Sequence, residues 1–128
     1  MIVVDTHAFV WWREENENLS QRARKAIESA GRIVVPTACC FELATLERRG
    51  RIRLDRGVVA WIRAALAAPG VEVYPVTGDI ATEAGRLPDT FPDDPVDRIV
   101  YATAASLGSQ IATRDRRITD HDPPRVVW

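Results

Sequence analysis

The sequence predicts a single α/β domain with a central parallel sheet and helices on both of its faces. Its 128 residues are the length of one domain. Short apolar runs rich in valine and isoleucine alternate with longer stretches of helical periodicity, which is typical of strand–helix–strand units. Such units build a parallel sheet that helices cover in a three-layer arrangement.

The N-terminal part of the chain alternates strands with helices. Residues 1–5, MIVVD, are an apolar run that ends in an acid, which indicates a buried strand. Ser20 is a good N-cap and Gly31 a good terminator, so a helix is expected between them. The run IVVP at 33–36 is the second predicted strand. Thr37 is then the expected N-cap of the helix ACCFELATLERR, which a glycine closes.

The remainder of the chain continues this alternation. Helices are expected at 57–68, 77–87 and 94–107, and strands at 71–76, 110–113 and 125–128. The helices carry apolar residues at helical spacing, and a proline or a glycine follows each of them. Asp94 is placed to cap the last helix, with Pro95 as a first helical residue whose missing N–H costs no hydrogen bond.

Composition and charge argue against several classes of protein. The net charge is −1, which gives no overall attraction to polyanions. No apolar run reaches the ~18 residues that span a bilayer, and the N-terminus is not a signal peptide. We therefore expect a cytoplasmic protein without membrane contact. The only cysteines, Cys39 and Cys40, are adjacent, which suits neither a disulfide framework nor a zinc site and fits core positions.

Four acidic residues are expected at one edge of the predicted sheet. In parallel α/β folds, ligands bind outside the carboxyl ends of the strands. Asp5 ends the first strand, and Asp115 lies two residues beyond the fourth. Asp97 is in the first turn of the helix that enters the fourth strand. Glu42 is five residues past Thr37, about 7.5 Å along its helix, from where its long side chain could reach back.

A cluster of four carboxylates needs a counter-charge, because mutual repulsion raises the pKa values of its members. Oxygen-only ligands suit a hard cation, Mg²⁺ or Mn²⁺, which can activate a water and stabilise a leaving phosphate oxygen. Acids at strand ends also serve phosphatases and phosphoacceptor receivers, so spacing alone supports a phosphodiesterase weakly. A receiver would need an aspartate where Val76 and Thr77 follow the third strand, and a lysine after Lys25, which the chain lacks.

Each of these acids also has a purely structural interpretation. Asp5, Asp94 and Asp115 are each placed to cap a turn or a helix. Glu42 could pair with an arginine on its own helix. The spacing of Asp94 and Asp97 is that of a capping-box variant, in which two side chains satisfy the first turn of a helix.

Four segments of the chain resemble the PIN domain, and within it the VapC-type toxins of bacterial toxin–antitoxin pairs. They are DTHAFVWW at the N-terminus, ELA around Glu42, DPVDRIVYATA and TRDRRI, in the family's order over nearly the whole chain. The resemblance implies a sheet of strand order 3-2-1-4-5, in which the first and fourth strands are neighbours. It also implies an Mg²⁺- or Mn²⁺-dependent endoribonuclease that acts on RNA, forms a homodimer and is covered by the tail of a cognate antitoxin.

Position by position, the resemblance implies that the catalytic, metal-binding residues are Asp5, Glu42, Asp97 and Asp115. Thr113 matches the family's small hydroxyl residue near the site, and Thr6 and Asp94 are auxiliary positions. Arg114 stands where the family often has something smaller, so it either partly occludes the site or contacts phosphate. Two other functions stay open: a PIN-domain nuclease of RNA processing without a toxin role, and a catalytically inactive PIN binding module.

Basic and aromatic residues outside the acidic motifs have less specific interpretations. Residues 48–56 hold five arginines against one aspartate. They form a solvated face or bind RNA phosphates or the antitoxin through Arg49, Arg51 and Arg53. Trp11 and Trp12 are expected to pack in the core or at a dimer interface, with stacking on RNA bases as the alternative. His7 is expected to be a packed or hydrogen-bonded residue and not a general base, because metal-assisted hydrolysis needs no histidine.

Overall fold

Five parallel strands form one sheet in the computed structural model, which describes all 128 residues. The strands are β1 (Ile2–Val4), β2 (Ile33–Pro36), β3 (Val71–Tyr74), β4 (Gln110–Ala112) and β5 (Val126–Val127). Their order across the sheet is β3-β2-β1-β4-β5, and every neighbouring pair is parallel. The predicted α/β class, the five predicted strands and the implied strand order are therefore confirmed.

Seven α-helices and one short 3-10 turn connect the strands. They are α1 (Thr6–Arg13), α2 (Gln21–Ser29), α3 (Thr37–Arg48), α4 (Val58–Leu66), α5 (Gly78–Arg86), α6 (Pro95–Ser106), α7 (Arg116–His121) and the turn Pro123–Arg125. The five helices predicted from periodicity are all present, with ends that differ by up to two residues. None of the seven is long and apolar enough to cross a bilayer.

Helix α1 is an element that the sequence analysis did not predict. It begins directly after β1, where the Asp5 carboxylate caps it by accepting a hydrogen bond from the Ala8 N–H at 2.7 Å. Its segment, THAFVWWR, holds one phenylalanine, two tryptophans and one valine, residue types that lower helix propensity and favour strands. The cap and the burial of Phe9 and Val10 outweigh this preference, because packing of an apolar face supplies most of a helix's stability.

The predicted N-cap of α3 is wrong by one residue. Pro36 is the N-cap, Thr37 is the first helical residue, and no side chain caps this helix. Pro36 is at the same time paired with Tyr74 in the sheet, so strand and helix follow one another without a connecting residue. Consequently α3 starts at the carboxyl edge of the sheet, and Glu42 falls in its second turn.

The chain reverses its direction across the sheet between β3 and β4. It moves outward from β1 through β2 to β3, and then returns through α5 and α6 to place β4 on the other side of β1. Because such crossovers are right-handed, the outward and return connections put their helices on opposite faces. Strand β1 is fully buried, and α6 contacts β1, β2 and β4. The reversal point, where α/β folds bind ligands, therefore lies at the carboxyl ends of β1 and β4.

Both cysteines lie in or beside the core, as predicted. Cys39 is buried, Cys40 is half-buried, and both thiols are free. The main core holds the apolar side chains of β1, β2 and β4 together with the inward faces of the helices. This packing holds the two central strands, and with them the polar residues that follow each strand end.

Candidate active site

Asp5, Thr113 and Asp115 lie together at the carboxyl edge of the central strands. Val4 pairs with Ala112 in the sheet, and the Asp5 N–H donates to the Ala112 carbonyl at 3.2 Å. The Asp115 N–H donates to the Thr113 hydroxyl at 3.1 Å. Asp115 also adds to the repulsion that raises the pKa of Asp5, as expected of neighbouring charges.

Three of the acids at this edge cap helices. Oδ1 of Asp5 accepts from the Ala8 N–H in α1. Oδ1 of Asp115 accepts from the Arg117 N–H at 2.8 Å, and Oδ1 of Asp94 accepts from the first turn of α6 at 2.8 and 3.2 Å. These three residues therefore do cap helices, as their positions in the sequence indicate. Capping uses one carboxylate oxygen in each case, so Oδ2 remains outside the cap.

Asp97 and Glu42 have no such structural partner. Neither carboxylate makes a hydrogen bond or an ion pair, although both are half-buried. Asp97 does not complete a capping box. Its backbone N–H donates to the Asp94 carboxylate, but its own carboxylate accepts no hydrogen bond from the Asp94 N–H. No arginine of α3 pairs with Glu42. An unpaired carboxylate removed from water destabilises the folded state unless something else binds it.

The negative charges of these acids raise one another's pKa values. The pKa of Asp97 is raised to about 7, first by burial and then by the charges of Asp94, Glu42, Asp115 and Asp5, in that order of importance. Burial likewise raises the pKa of Glu42, with added repulsion from Asp94 and Asp5. The pKa of Asp5 is raised by burial, against the nearby Thr113 hydroxyl and the Ala8 N–H, which lower it. The fold therefore brings all five acids into one electrostatic cluster.

Two buried threonines lie beside the cluster. Thr113 is fully buried, and its hydroxyl lowers the pKa of Asp5. Thr6 is 2% exposed, and its Oγ1 has no hydrogen-bond partner of ordinary geometry, although it lies near enough to Glu42 to lower the pKa of that carboxyl. Both hydroxyls therefore lie within reach of carboxyl groups of the cluster.

The donor chemistry of this edge fits a hard divalent cation. Its carboxylates and threonine hydroxyls offer only oxygen ligands, which Mg²⁺ and Mn²⁺ prefer. No three acidic, histidine or cysteine side chains are close enough to enclose an ion, so the edge is not a closed cage. Mg²⁺ does not require one, because it keeps several waters and is usually held through one or two carboxylates. Asp97, Glu42 and Asp5 are the carboxylates of which one or two could hold it.

Arg98 is a site residue that the sequence analysis missed. Its guanidinium donates to four backbone carbonyls, those of Ala84 (3.2 Å), Leu87 (2.9 Å), Pro88 (3.2 Å) and Pro92 (2.9 Å). These bonds tie the end of α5 and the loop that follows it to α6, one residue after Asp97. Nothing in the sequence signals this, because the acceptors are backbone atoms whose position depends on the tertiary fold.

Aromatic side chains line the N-terminal helix next to the cluster. Trp11 and Trp12 are half-buried and pack against the core, which favours the packing interpretation. The Trp11 ring lies 5.4 Å from the exposed His7 ring and 6.0 Å from the Trp128 ring, between centroids. The Arg114 guanidinium carbon lies 4.7 Å from the centre of the Trp11 ring. Arg114 therefore rests on an aromatic surface.

The arginines after α3 lie apart from the acidic cluster. Helix α3 ends at Arg48, six residues beyond Glu42 and so about 9 Å further along the helix axis from the carboxyl edge. Arg49, Arg51 and Arg53 are all exposed, and none of them forms an ion pair or a side-chain hydrogen bond. Three free guanidinium groups thus follow the end of α3 that points away from the candidate site.

A known protein family and an individual protein resemble this chain over nearly its whole length. The family profile described as the PIN domain matches residues 2–122. Ribonuclease VapC22 of Mycobacterium tuberculosis (strain ATCC 25618 / H37Rv) is 39% identical over 129 residues, an alignment that covers 99% of this chain and 98% of that protein. This similarity extends across all four acidic segments.

Solved structures show the same fold at lower identity. VapC20 of M. tuberculosis, described as a toxin that cleaves the sarcin–ricin loop, superposes with a TM-score of 0.71 at 20% identity over 95% of each chain. A toxin–antitoxin complex from Klebsiella pneumoniae gives a TM-score of 0.69 at 18% identity, covering 100% of this chain and 97% of that one. At these identities the structural similarity shows the fold. The chemistry has to be argued from the residues of this chain.

Proposed function

This chain belongs to the PIN domain family, and we propose that it is a toxin-type endoribonuclease that hydrolyses RNA with Mg²⁺ or Mn²⁺. The observation that carries this proposal is the pair Asp97 and Glu42, two half-buried carboxylates that have no cationic partner and no hydrogen bond of ordinary geometry. Carboxyl groups with raised pKa values that serve no structural purpose are typical of functional sites. A ribonuclease relative at 39% identity supports RNA as the substrate.

The protein's contribution is to hold several carboxylates at one edge of the sheet beside two buried hydroxyls. The cap of α1 orients Asp5 through its Oδ1, and Asp97 lies in the first turn of α6. Because the pKa of Asp97 is raised to about 7, a cation bound here would have to compete with a proton for this carboxyl at neutral pH. When bound, the divalent ion supplies an activated water and stabilises charge on the phosphate oxygens.

The proposed partners are a cognate antitoxin and a second copy of the chain. A toxin–antitoxin complex with the same fold supports the first of these. Phe41 on α3 is 71% exposed and lines an apolar groove with Val76 and Pro95, next to the acidic cluster. An exposed apolar groove of this kind is typical of a surface that another protein covers. Contacts of Arg49, Arg51 and Arg53 with RNA or antitoxin remain a prediction, and they would extend the binding surface beyond the cleavage site.

The metal dependence is tested by cleavage of single-stranded or loop RNA with purified protein. We expect cleavage with Mg²⁺ or Mn²⁺, loss of cleavage in EDTA and recovery when excess Mg²⁺ is added, because only a cation can neutralise this acidic edge. The Asp97→Asn protein, purified in parallel, reports contaminating nuclease. Cleavage that continues undiminished in EDTA, with that control inactive, would refute the mechanism.

The toxin role is tested separately from the chemistry. Induced expression in a bacterial host should arrest growth within a few generations, whereas Asp97→Asn made at the same level should leave growth unaffected. A nuclease of RNA processing without a toxin role would cleave RNA in the tube and leave growth normal. An inactive binding module would fail in both assays.

A further inference from the structure

RNA binding poses a charge problem at this site, because a polyanion must approach a cluster of carboxylates. The neighbouring arginines are mostly engaged elsewhere. Arg117 lies 3.4 Å from Asp115 in an ion pair, and Arg98 donates to four backbone carbonyls. Arg114 is exposed and makes neither an ion pair nor a hydrogen bond, although it stands directly between Thr113 and Asp115. It is thus a free cation within the acidic motif itself.

The position of Arg114 is fixed by an aromatic platform. Its guanidinium carbon lies 4.7 Å from the centre of the Trp11 ring, close enough for a cation–π interaction. Trp11 is itself held in place, half-buried on the core with its ring 6.0 Å from that of Trp128. Side chains on a helix lean toward its N-terminus, so Trp11 leans toward the end of α1 that Asp5 caps. The platform therefore presents Arg114 beside the cluster.

We propose that Arg114, held on Trp11, binds the RNA phosphate next to the one that is cleaved. A guanidinium that rests on a ring keeps its N–H edge free, and this planar edge matches two phosphate oxygens. The aromatic contact restricts the side chain before RNA arrives, which reduces the entropy lost on binding. This inference rests on the proposed ribonuclease function and assigns one positioning residue to it.

The main test is Arg114→Gln, measured first as RNA binding without cleavage. Fluorescence anisotropy with a labelled single-stranded RNA in EDTA should show binding about tenfold weaker, the effect of one lost charge-assisted contact. The plot of log affinity against log salt should become flatter by about 0.7 units, the value for one phosphate contact on a single strand. With Mg²⁺ present, KM should rise while kcat changes little, because the contact is equal in ground and transition states.

Further variants distinguish a specific contact of Arg114 from an effect of net charge or of packing. Arg116→Gln removes the same charge from an exposed, unpaired arginine two residues away that has no aromatic platform, and should have a clearly smaller effect. Trp11→Leu should weaken RNA binding only while Arg114 is present, so the double variant should bind no more weakly than Arg114→Gln alone. Trp11→Phe, which keeps an aromatic ring, should largely preserve binding.

The outcomes separate this inference from the function it rests on. Equal losses in Arg114→Gln and Arg116→Gln would show a net-charge effect and overturn the inference. Unchanged RNA binding in Arg114→Gln would also overturn it, and a simultaneous loss of antitoxin binding would assign the residue to a protein contact. If the wild-type protein cleaves no RNA, the proposed function fails, whereas the salt slope in EDTA still decides whether Arg114 holds a phosphate.

Discussion

Replacing Asp97 by asparagine should abolish RNA cleavage and, in EDTA at pH 8, should raise the melting temperature. Asparagine keeps the size of the side chain and removes its charge. In the metal-free protein that charge is unfavourable, since burial and four neighbouring acids raise the pKa of Asp97 from 3.8 to about 7. A shift of this size corresponds to a destabilisation on the order of 2–4 kcal/mol when the group is fully ionised.

The pH dependence provides an independent check of the same residue. A carboxyl whose pKa is higher in the folded state binds more protons folded than unfolded, so stability falls as the pH rises between the two pKa values. In EDTA the wild type should therefore lose stability between about pH 4 and pH 7, the two pKa values of this group, at up to roughly 1.4 kcal/mol per pH unit. Asp97→Asn should show a flatter profile, and thermal unfolding followed by circular dichroism measures both.

Metal titration completes the test of Asp97. Mg²⁺ or Mn²⁺ should raise the melting temperature of the wild type by mass action and that of Asp97→Asn much less. Asp79→Asn is the matched control, because Asp79 lies in the first turn of α5 as Asp97 does in α6 and lies outside the acidic cluster. It should lose only a helix-dipole interaction of about 0.3–1 kcal/mol and keep the full metal shift. An Asp97→Asn protein that melts lower in EDTA, responds fully to metal and still cuts RNA would contradict the cluster assignment.

Replacing Arg98 by alanine should lower the free energy of unfolding by about 3 kcal/mol, one of the larger losses expected of a single residue outside the core. Four carbonyl acceptors at the end of α5 and in the following loop would lose their donor at once. The guanidinium carbon also lies 5.9 Å from the centre of the ring of Phe91, which is 2% exposed. Because this loop leads into Asp94 and the first turn of α6, cleavage should fall as well.

Chemical denaturation of Arg98→Ala, Arg98→Lys and Arg86→Ala would measure this effect. Lysine keeps the charge but lacks the planar fork, so it should recover only part of the lost stability. Arg86 is the control, an exposed arginine on α5 whose ion pair with Glu83 at 2.8 Å should contribute less than about 1 kcal/mol. If Arg98→Ala unfolds at the wild-type denaturant concentration, the four hydrogen bonds do not stabilise the fold.

The sequence alone determined the architecture and the positions of the acids along it. Alternating apolar runs and helical periods predict the five strands, and the predicted cap at Asp94 with Pro95 in the first turn of α6 is present. These features depend on local chemistry, namely the period of apolar residues and the side-chain oxygen that caps a helix. Where local propensity conflicted with packing, as in α1, the sequence analysis missed the helix. The predicted N-cap of α3, Thr37, is wrong by one residue because β2 runs directly into α3, so that Pro36 belongs to the strand and is also the N-cap.

The tertiary structure decided which of the acids are structural and which are left without a partner. From sequence, Asp5, Asp94, Asp97 and Asp115 all have the spacing of caps, yet only Asp97 ends up half-buried without any hydrogen bond. The four acceptors of Arg98 and the platform beneath Arg114 are likewise invisible in the sequence, since each joins residues that are distant along the chain. Burial and mutual repulsion depend on distances through space, and only the packing of α3 and α6 at the ends of β1 and β4 sets those distances.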